Sequence, residues 1–245
     1  MSLEPLPGVA RALIGMVHLL PLPGSPRWGD SLEAVVDRAV ADARALQGGG
    51  FHACLVENYG DAPFSPAQAD PATVAAMAVV VTEVRRAARL AVGVNVLKND
   101  ARGALAVAAA TGAVFIRVNV HVGAVVADQG VIQGDAYATL RYRRALGTDT
   151  RLFVDVGGKH AVPIAPVELG CAANVDRKPP HQGVANARWK PVVTLVHPRV
   201  VLPHLVGGDV LAQSPADGLL LAGAVDAAQL PEPLGRGLTC LLAGP

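Results

Sequence analysis

The chain has 245 residues, a net charge of +1 and a hydrophobic content of 51%, with only 4% aromatic residues. It has no basic cluster that would hold a phosphate backbone, which argues against nucleic acid as a partner. Cys54, Cys171 and Cys240 are too widely spaced for a disulfide framework or a zinc motif, as is typical of a reducing compartment. No stretch resembles a signal peptide or a transmembrane segment. We therefore expect a cytoplasmic protein with a single domain over residues 1–245, of which residues 1–11 are an N-terminal extension.

Strand and helix patterns alternate five times in the first two thirds of the chain. The predicted strands cover residues 12–19, 51–56, 90–97, 113–120 and 151–156. The predicted helices run from a capping box at Asp30 and Glu33 to the glycines at 48–50, from about 71 to 88, from a cap at Asn99 and Asp100 to Gly112, and from about 135 to 146. A loop containing Gly123, Asp128, Gly130 and Gly134 precedes the last of these helices. Such alternation predicts parallel strands joined by helical crossovers.

In each of these strands one face is apolar or small at first and becomes polar at the carboxyl end. The residues that share this face are Met16 and His18; Leu55 and Glu57; Gly93 and Asn95; Phe115, Arg117 and Asn119; and Phe153 and Asp155. A barrel gathers all these ends around one mouth, whereas an open sheet binds its ligand between two strands. An open sheet would also usually have a glycine fingerprint where Pro21 and Pro23 stand. The pattern therefore favours an α/β fold of the (β/α)8 TIM barrel type.

The last third of the chain is rich in proline and fits this pattern poorly, most of all over residues 166–205. Residues 192–196 and 200–206 are candidate sixth and seventh strands, and residues 216–223 are a better candidate for the eighth. Gly207, Gly208 and Gly223 fall where such barrels cradle a phosphate, although glycines at these places also serve as ordinary turns. We therefore expect an irregular or degenerate C-terminal third.

Five segments resemble the BtpA family over residues 13–165. They are residues 14–26 (IGMVHLLPLPGSP), 57–64 (ENYGDAPF), 92–100 (VGVNVLKND), 115–120 (FIRVNV) with Asp128-Gln129-Gly130, and Asp155-Val156 with Lys159-His160-Ala161. The resemblance implies a (β/α)8 barrel allied to the phosphate-binding barrels. The family is named for a cyanobacterial factor needed for photosystem I to accumulate. Its relatives in non-photosynthetic microbes imply an older metabolic activity.

Past residue 165 the resemblance fades, and our hypothesis is that this segment is strongly diverged or is read in a shifted frame. A clean reading frame over codons 160–215, found on resequencing the gene, would refute the frameshift.

The candidate catalytic residues lie at the ends of the predicted strands. Glu57 and Asp61 are placed to act as a general acid–base pair or to hold a divalent cation, with Asp155 contributing from across the mouth. The alternatives are a structural ion pair of Arg117 with Glu57 or Asp155, and a turn capped by Asn58 and Asp61.

Two histidines and a lysine extend this set of candidates. His18 is placed for proton transfer or, with His160 and Asp155, for a metal, and the alternative is a hydrogen-bonded packing residue. Lys159 suits a substrate phosphate or a nucleophilic amine, or is a solvated loop residue. The candidate substrate-binding residues are Asn58, Asn95, Arg117, Asn119, Asp128, Gly207, Gly208 and Gly223.

Two classes of function fit these residues. The first is an enzyme acting on a small phosphorylated sugar or nucleoside-like molecule, with no certain cofactor and a divalent metal as the one candidate. The second is a non-catalytic assembly or stability factor for photosystem I or another membrane complex, which would add peripheral membrane association. Either is compatible with a homo-oligomer. An inward ring of acids, amides and Arg117 favours the enzyme, because a scaffold has no need to bury so many polar groups.

Overall fold

A computed structural model of the chain describes residues 6, 9, 12–155, 161–165, 192–196 and 220–223. In chain order, the strands are β1 (Ala12–His18), β2 (Ala53–Glu57), β3 (Ala91–Asn95), β4 (Phe115–Val118), β5 (Ala124–Ala127), β6 (Gly130–Gln133), β7 (Arg151–Val154), β8 (Val162–Pro163), β9 (Val192–Val196) and β10 (Leu220–Gly223). The helices are α1 (Leu32–Gly48), α2 (Pro71–Ala87), α3 (Ala101–Thr111) and α4 (Ala136–Ala145). The predicted alternation of five strands and four helices is thus confirmed up to β7. Within the described ranges, no helix is long and apolar enough to cross a membrane.

Three of the four described helices begin after a side chain that caps a first-turn backbone amide, and α2 begins at a proline, which has no backbone N–H. The side chain of Asp100 accepts a hydrogen bond from Gly103 N at 2.8 Å, and Pro71 opens α2, both as predicted. The predicted cap at Asp30 is wrong by one residue, because Ser31 Oγ accepts from Ala34 N at 3.1 Å instead. Asp30 lies in the left-handed region with a φ of 56°, which turns its backbone away from the helix.

One sheet of seven strands, in the order β10-β9-β1-β2-β3-β4-β7, forms the centre of the fold. The strands from β9 to β7 in this order are parallel, as predicted, and β9 confirms the candidate strand at 192–196. The parallel direction expected of the eighth strand is wrong, because β10 runs antiparallel to β9. An antiparallel neighbour needs no helical crossover. In the described part of the chain β10 and β7 are the edges of an open sheet.

The two faces of this sheet form separate apolar clusters. One face packs under the helices through Val17, Val56, Val94 and Ile116, which lie against residues such as Met77 and Leu105. On the other face Ile14, Met16, Leu55 and Phe115 form a smaller cluster with Phe153. This second face leads into the polar strand ends, so the predicted alternation is confirmed.

The segment between β4 and α4, predicted to be a loop, forms a β-hairpin instead. Strands β5 and β6 pair antiparallel, and β8 adds to the other edge of β5. Gly130, one of the predicted loop glycines, adopts a φ of 100° at the turn between β5 and β6, where it pairs with Ala127. Val126 pairs with Val131 on one side and with Val162 on the other, and all three side chains are exposed.

Candidate active site at the carboxyl ends of the parallel strands

The polar side chains of the central strands lie side by side because of the strand register. His18 pairs with Glu57, and Glu57 pairs with Asn95, each at the last residue of its strand. Arg117 on β4 pairs with Phe153 on β7, two residues before Asp155. Since the strands are parallel, their carboxyl ends meet at one edge of the sheet. The five polar ends predicted from alternation are therefore neighbours.

Arg117 is the centre of this group. Its Nε and Nη2 donate to Oδ1 and Oδ2 of Asp155, both at 2.9 Å, and its Nη1 donates to Glu57 Oε2 at 3.3 Å. Asn119 Nδ2 also donates to Asp155 Oδ2, at 3.0 Å. Burial by itself would lower the pKa of Arg117, but the carboxylates of Asp155 and Glu57 outweigh it and raise that pKa above its ordinary value. The guanidinium is therefore a fixed positive charge between two carboxylates.

Glu57 is buried, with 5% of its surface exposed. Its Oε2 accepts a 2.6 Å hydrogen bond from Asn95 Nδ2 in addition to the bond from Arg117. Burial raises the pKa of Glu57 above its ordinary value, and Arg117 and Asn95 only partly offset this effect. The pKa of Glu57 therefore lies above that of an exposed glutamate.

His18 lies between Glu57 and Tyr59. Its Nε2 is 3.6 Å from Glu57 Oε1, and its ring stacks on Tyr59 with centroids 4.4 Å apart and an interplanar angle of 12°. The His18 side chain is 23% exposed, against 6% for Glu57. His18 is therefore the member of the pair that solvent and a ligand reach more readily.

Asp61 and Asn58 belong to a second, structural network. Asp61 Oδ1 accepts from Leu22 N at 2.7 Å and Oδ2 accepts from Asn58 Nδ2 at 3.0 Å, while Asn58 Oδ1 accepts from Leu97 N at 2.7 Å. Burial raises the pKa of Asp61, and its bonds from Leu22 and Asn58 act in the opposite direction. These bonds tie together the loops that follow β1, β2 and β3. Asp61 and Asn58 also line a small pocket with Ser25, Ser65, Thr73 and other residues of these loops.

The expected pairing of Glu57 with Asp61 is not among the contacts in the described residues, where both Asp61 oxygens bond loop groups instead. The capped-turn alternative is wrong as well, because Asn58 makes no side-chain cap bond to its own turn and both residues bond backbone amides of other loops.

The remaining candidates are placed as follows. Asp128 is exposed in the turn between β5 and β6, and no described contact joins it to Arg117 or Glu57. Gly223 ends β10 and pairs with Val192 at the amino end of β9, the edge opposite Glu57, so its predicted place among the polar strand ends is wrong. Lys159, His160, Gly207 and Gly208 lie outside the described residues. The roles predicted for these four residues and for Asp128 remain predictions.

The described residues offer no group of three histidine, cysteine, aspartate or glutamate side chains that would hold a metal ion. The Arg117 guanidinium lies where a cation between Glu57 and Asp155 would lie, so these two carboxylates already have a positive partner. The described donor set therefore does not fit a divalent metal, and a site that included His160 falls outside the described residues.

Tyr59 is the residue of this site that the sequence pattern did not single out. It lies in a short 3-10 turn, Tyr59–Asp61, and contacts His18 on another strand. The only local signal was its place between Asn58 and Asp61, because strand alternation does not extend into a turn.

A family model described as the BtpA family matches residues 9–185. The match therefore extends beyond residue 165, further than the resemblance seen in the sequence. The chain is 49% identical over 160 residues to the photosystem I biogenesis protein BtpA of Synechocystis, covering 65% of this chain and 56% of that protein. It is 46% identical to an uncharacterized protein of Archaeoglobus fulgidus, covering 66% of this chain and 65% of the relative.

A third relative is the putative sgc region protein SgcQ of Escherichia coli, at 35% identity over 66% of this chain and 59% of that protein. The chain thus spans less than two thirds of the length of these relatives. Among solved structures, PhdJ bound to substrate intermediate aligns with a TM-score of 0.43 and 18% identity, covering 64% of this chain and 47% of that one. A likeness at that score adds nothing to the fold described above.

Proposed function

The chain belongs to the BtpA family, and we propose that it is an enzyme acting on a small phosphorylated sugar or nucleoside-like substrate by acid–base chemistry at the carboxyl ends of its parallel strands. The observation that carries this proposal is the buried network of Glu57, Arg117 and Asp155 beside His18. Burying charges costs free energy, and a buried ion network is weak evidence for stability. Its place at the strand ends, where α/β proteins bind ligands, supports a catalytic use.

The proposed proton transfer uses Glu57 and His18. Glu57 holds a proton more tightly than an ordinary carboxyl group because it is buried, and its Oε1 is 3.6 Å from His18 Nε2. A proton can pass between them and on to a substrate atom with little movement. Arg117 and Asn95 hold Glu57 Oε2, which leaves Oε1 facing His18.

The rest of the substrate would bind around this pair. Asn119 and Asp155 lie beside Arg117, and we assign them to substrate hydroxyl groups. A phosphate would be held by Lys159, Gly207 and Gly208, if the chain closes as a (β/α)8 barrel of the phosphate-binding kind.

Thermal melting with ligands tests the proposal. The wild-type protein, Glu57→Gln and the control Glu83→Gln would be melted alone and with sugar phosphates, nucleosides, nucleotides and Mg²⁺ or Mn²⁺. A ligand that binds only the folded state raises the midpoint with the logarithm of its concentration. We expect a saturable rise of the melting midpoint in the wild type and the loss of this rise in Glu57→Gln. The rise should remain in Glu83→Gln, whose side chain is on the exposed surface of α2. Melts indifferent to every ligand would contradict the proposal.

A second function, assembly of a membrane complex, is favoured by the name of the Synechocystis relative. The exposed row of Val126, Val131 and Val162 is an outer apolar surface that such a factor could use. The two functions can be distinguished by expressing variants of this chain in a Synechocystis strain that lacks the relative. Recovery of photosystem I by Glu57→Gln, with no recovery by a Val131→Ser and Val162→Ser double variant, would favour assembly. The opposite pattern would favour the enzyme.

A further inference from the structure

Tyr59 is an exposed aromatic ring in an otherwise buried part of the site. It is 57% exposed, whereas the adjacent Glu57 and Asn58 are 5% and 1% exposed. One face of its ring is covered by His18, so the exposed area belongs to the opposite face and the edges. We propose that this opposite face stacks on a planar ring of the substrate, which makes the substrate a nucleoside or nucleotide rather than a simple sugar phosphate. The inference rests on the proposed function and narrows its substrate class.

The Tyr59 ring is held in place before any ligand arrives. Gly60 N donates to Leu19 O at 3.1 Å, and Leu22 N donates to Asp61 Oδ1 at 2.7 Å, which ties the turn to the exit of β1. A Cβ on Gly60 would come within 2.5 Å of Pro21 N, so the two chain segments are in close contact. A ring fixed in this way loses little conformational entropy when a ligand stacks on it.

Exposure alone would not identify a binding residue, because single exposed aromatic residues are common on protein surfaces. Tyr137 on α4 is such a case, at 71% exposed, with Arg141 over its ring. Tyr59 differs because its covered face lies on His18, which in turn lies 3.6 Å from Glu57. Only the Tyr59 ring itself therefore separates its exposed face from His18, a member of the proposed proton-transfer pair.

The spacing suits a nucleoside. A base stacked on Tyr59 would lie roughly 9 Å from the His18 ring, with Tyr59 between them. A pentose attached to that base can pass the edge of Tyr59 and approach His18, the more exposed member of the proposed proton-transfer pair. The base then supplies binding energy at the outer face, and the sugar is presented to the acid–base groups, where the chemistry takes place.

Binding measurements on four proteins test this inference. Adenosine, adenosine 5′-monophosphate and ribose 5-phosphate would each be titrated by calorimetry into the wild type, Tyr59→Ala, Tyr59→Phe and the control Tyr137→Ala. Removing a stacking partner weakens base binding on the order of tenfold to a hundredfold. We expect this loss for adenosine and its monophosphate in Tyr59→Ala, and binding within about twofold of wild type in Tyr59→Phe and Tyr137→Ala, because neither change removes the stacked ring.

The outcomes separate this inference from the proposed function. If ribose 5-phosphate binds as tightly as the nucleotide and Tyr59→Ala binds both normally, the stacking role is refuted while the enzyme proposal stands. If no probe binds the wild type, both fail. Should Tyr59→Ala not melt cooperatively, Tyr59→Leu replaces it, since leucine covers His18 without offering an aromatic face.

Discussion

Arg117 holds Asp155 in a two-pronged pair, Nε to Oδ1 and Nη2 to Oδ2, with both distances at 2.9 Å. This geometry uses the planar fork of the guanidinium and leaves Nη1 for Glu57. Two carboxyl groups therefore share one fixed positive charge. The negative charge that remains when both are ionised is most readily removed by a proton on Glu57, whose pKa is raised by its burial. The ion pairs of Arg117 are therefore compatible with the acid–base role proposed for Glu57.

Arg117→Met should destabilise the protein strongly. Methionine fills much of the same space but leaves Glu57 and Asp155 buried without their positive partner, which typically costs about 3–5 kcal/mol of unfolding free energy. Urea unfolding would measure the loss as a lower midpoint with an unchanged slope. Arg86→Met is the control, because its exposed pair with Glu83 on α2 is worth at most about 1 kcal/mol. Equal losses in the two variants would contradict the expected cost of leaving Glu57 and Asp155 buried without Arg117.

Glu57→Gln should change how stability depends on pH. A carboxyl group with a raised pKa in the folded state contributes stability that is present below its unfolded pKa, about 4.3 for glutamate, and is lost as pH rises through its folded pKa. The unfolding free energy of the wild type minus that of Glu57→Gln should therefore fall as pH rises above about 4, by at most about 1.4 kcal/mol per pH unit.

Urea unfolding at a series of pH values checks this difference. The same difference for Glu83→Gln, an exposed glutamate, should stay nearly flat. A difference for Glu57→Gln that rises with pH would mean that Arg117 outweighs burial and holds the carboxylate ionised.

Asp61→Asn should weaken the loops around the site despite its similar shape. The new amide can keep the bond from Leu22 N only by pointing its own NH2 group at Asn58 Nδ2. Asn58 cannot turn its amide over to accept, because its Oδ1 already accepts from Leu97 N. Leaving buried donors unpaired costs about 1–3 kcal/mol, measurable by thermal or urea unfolding. Asp70→Asn, at an exposed position with no side-chain cap bond, should change stability by no more than about 0.5 kcal/mol.

Gly60→Ala should disturb the position of Tyr59 over His18. The added Cβ would meet the backbone at Pro21 N and Leu19 O, at 2.5 and 2.7 Å, and backbone atoms cannot rotate away as a side chain can. We expect a loss of roughly 1–3 kcal/mol in unfolding free energy and a change in the ring-current shifts of the His18 imidazole in NMR spectra. Gly29→Ala is the control, because no atom lies within 4 Å of its added Cβ. Unchanged His18 signals in Gly60→Ala would show that the turn does not position Tyr59.

The part of the site that was predictable from sequence is the part carried by strand periodicity. Side chains two apart share a face, so Met16 with His18 and Leu55 with Glu57 could be assigned before any contact was known. The ends of parallel strands meet by geometry, which placed Glu57, Asn95 and Arg117 together. Asn58 and Asp61 fall in the turn after β2, where this alternation ends, and their bonds to Leu97 and Leu22 depend on loops about forty residues away in sequence.

The sequence by itself determined the strand–helix alternation up to β7, the polar edge of the sheet and the family, because each depends on local period or on motifs read directly from the chain. Tertiary structure alone decided which groups the acids Glu57, Asp61 and Asp155 bond. Arg117 bonds both Asp155 and Glu57, across separations of 38 and 60 residues, because β7 lies beside β4 and the long Arg117 side chain also reaches past β3 to the end of β2. The hairpin at β5 and β6, the direction of β10 and the stack of Tyr59 on His18 also depend on how distant segments dock. No local pattern encodes such docking, since it is set by long-range packing and hydrogen bonding.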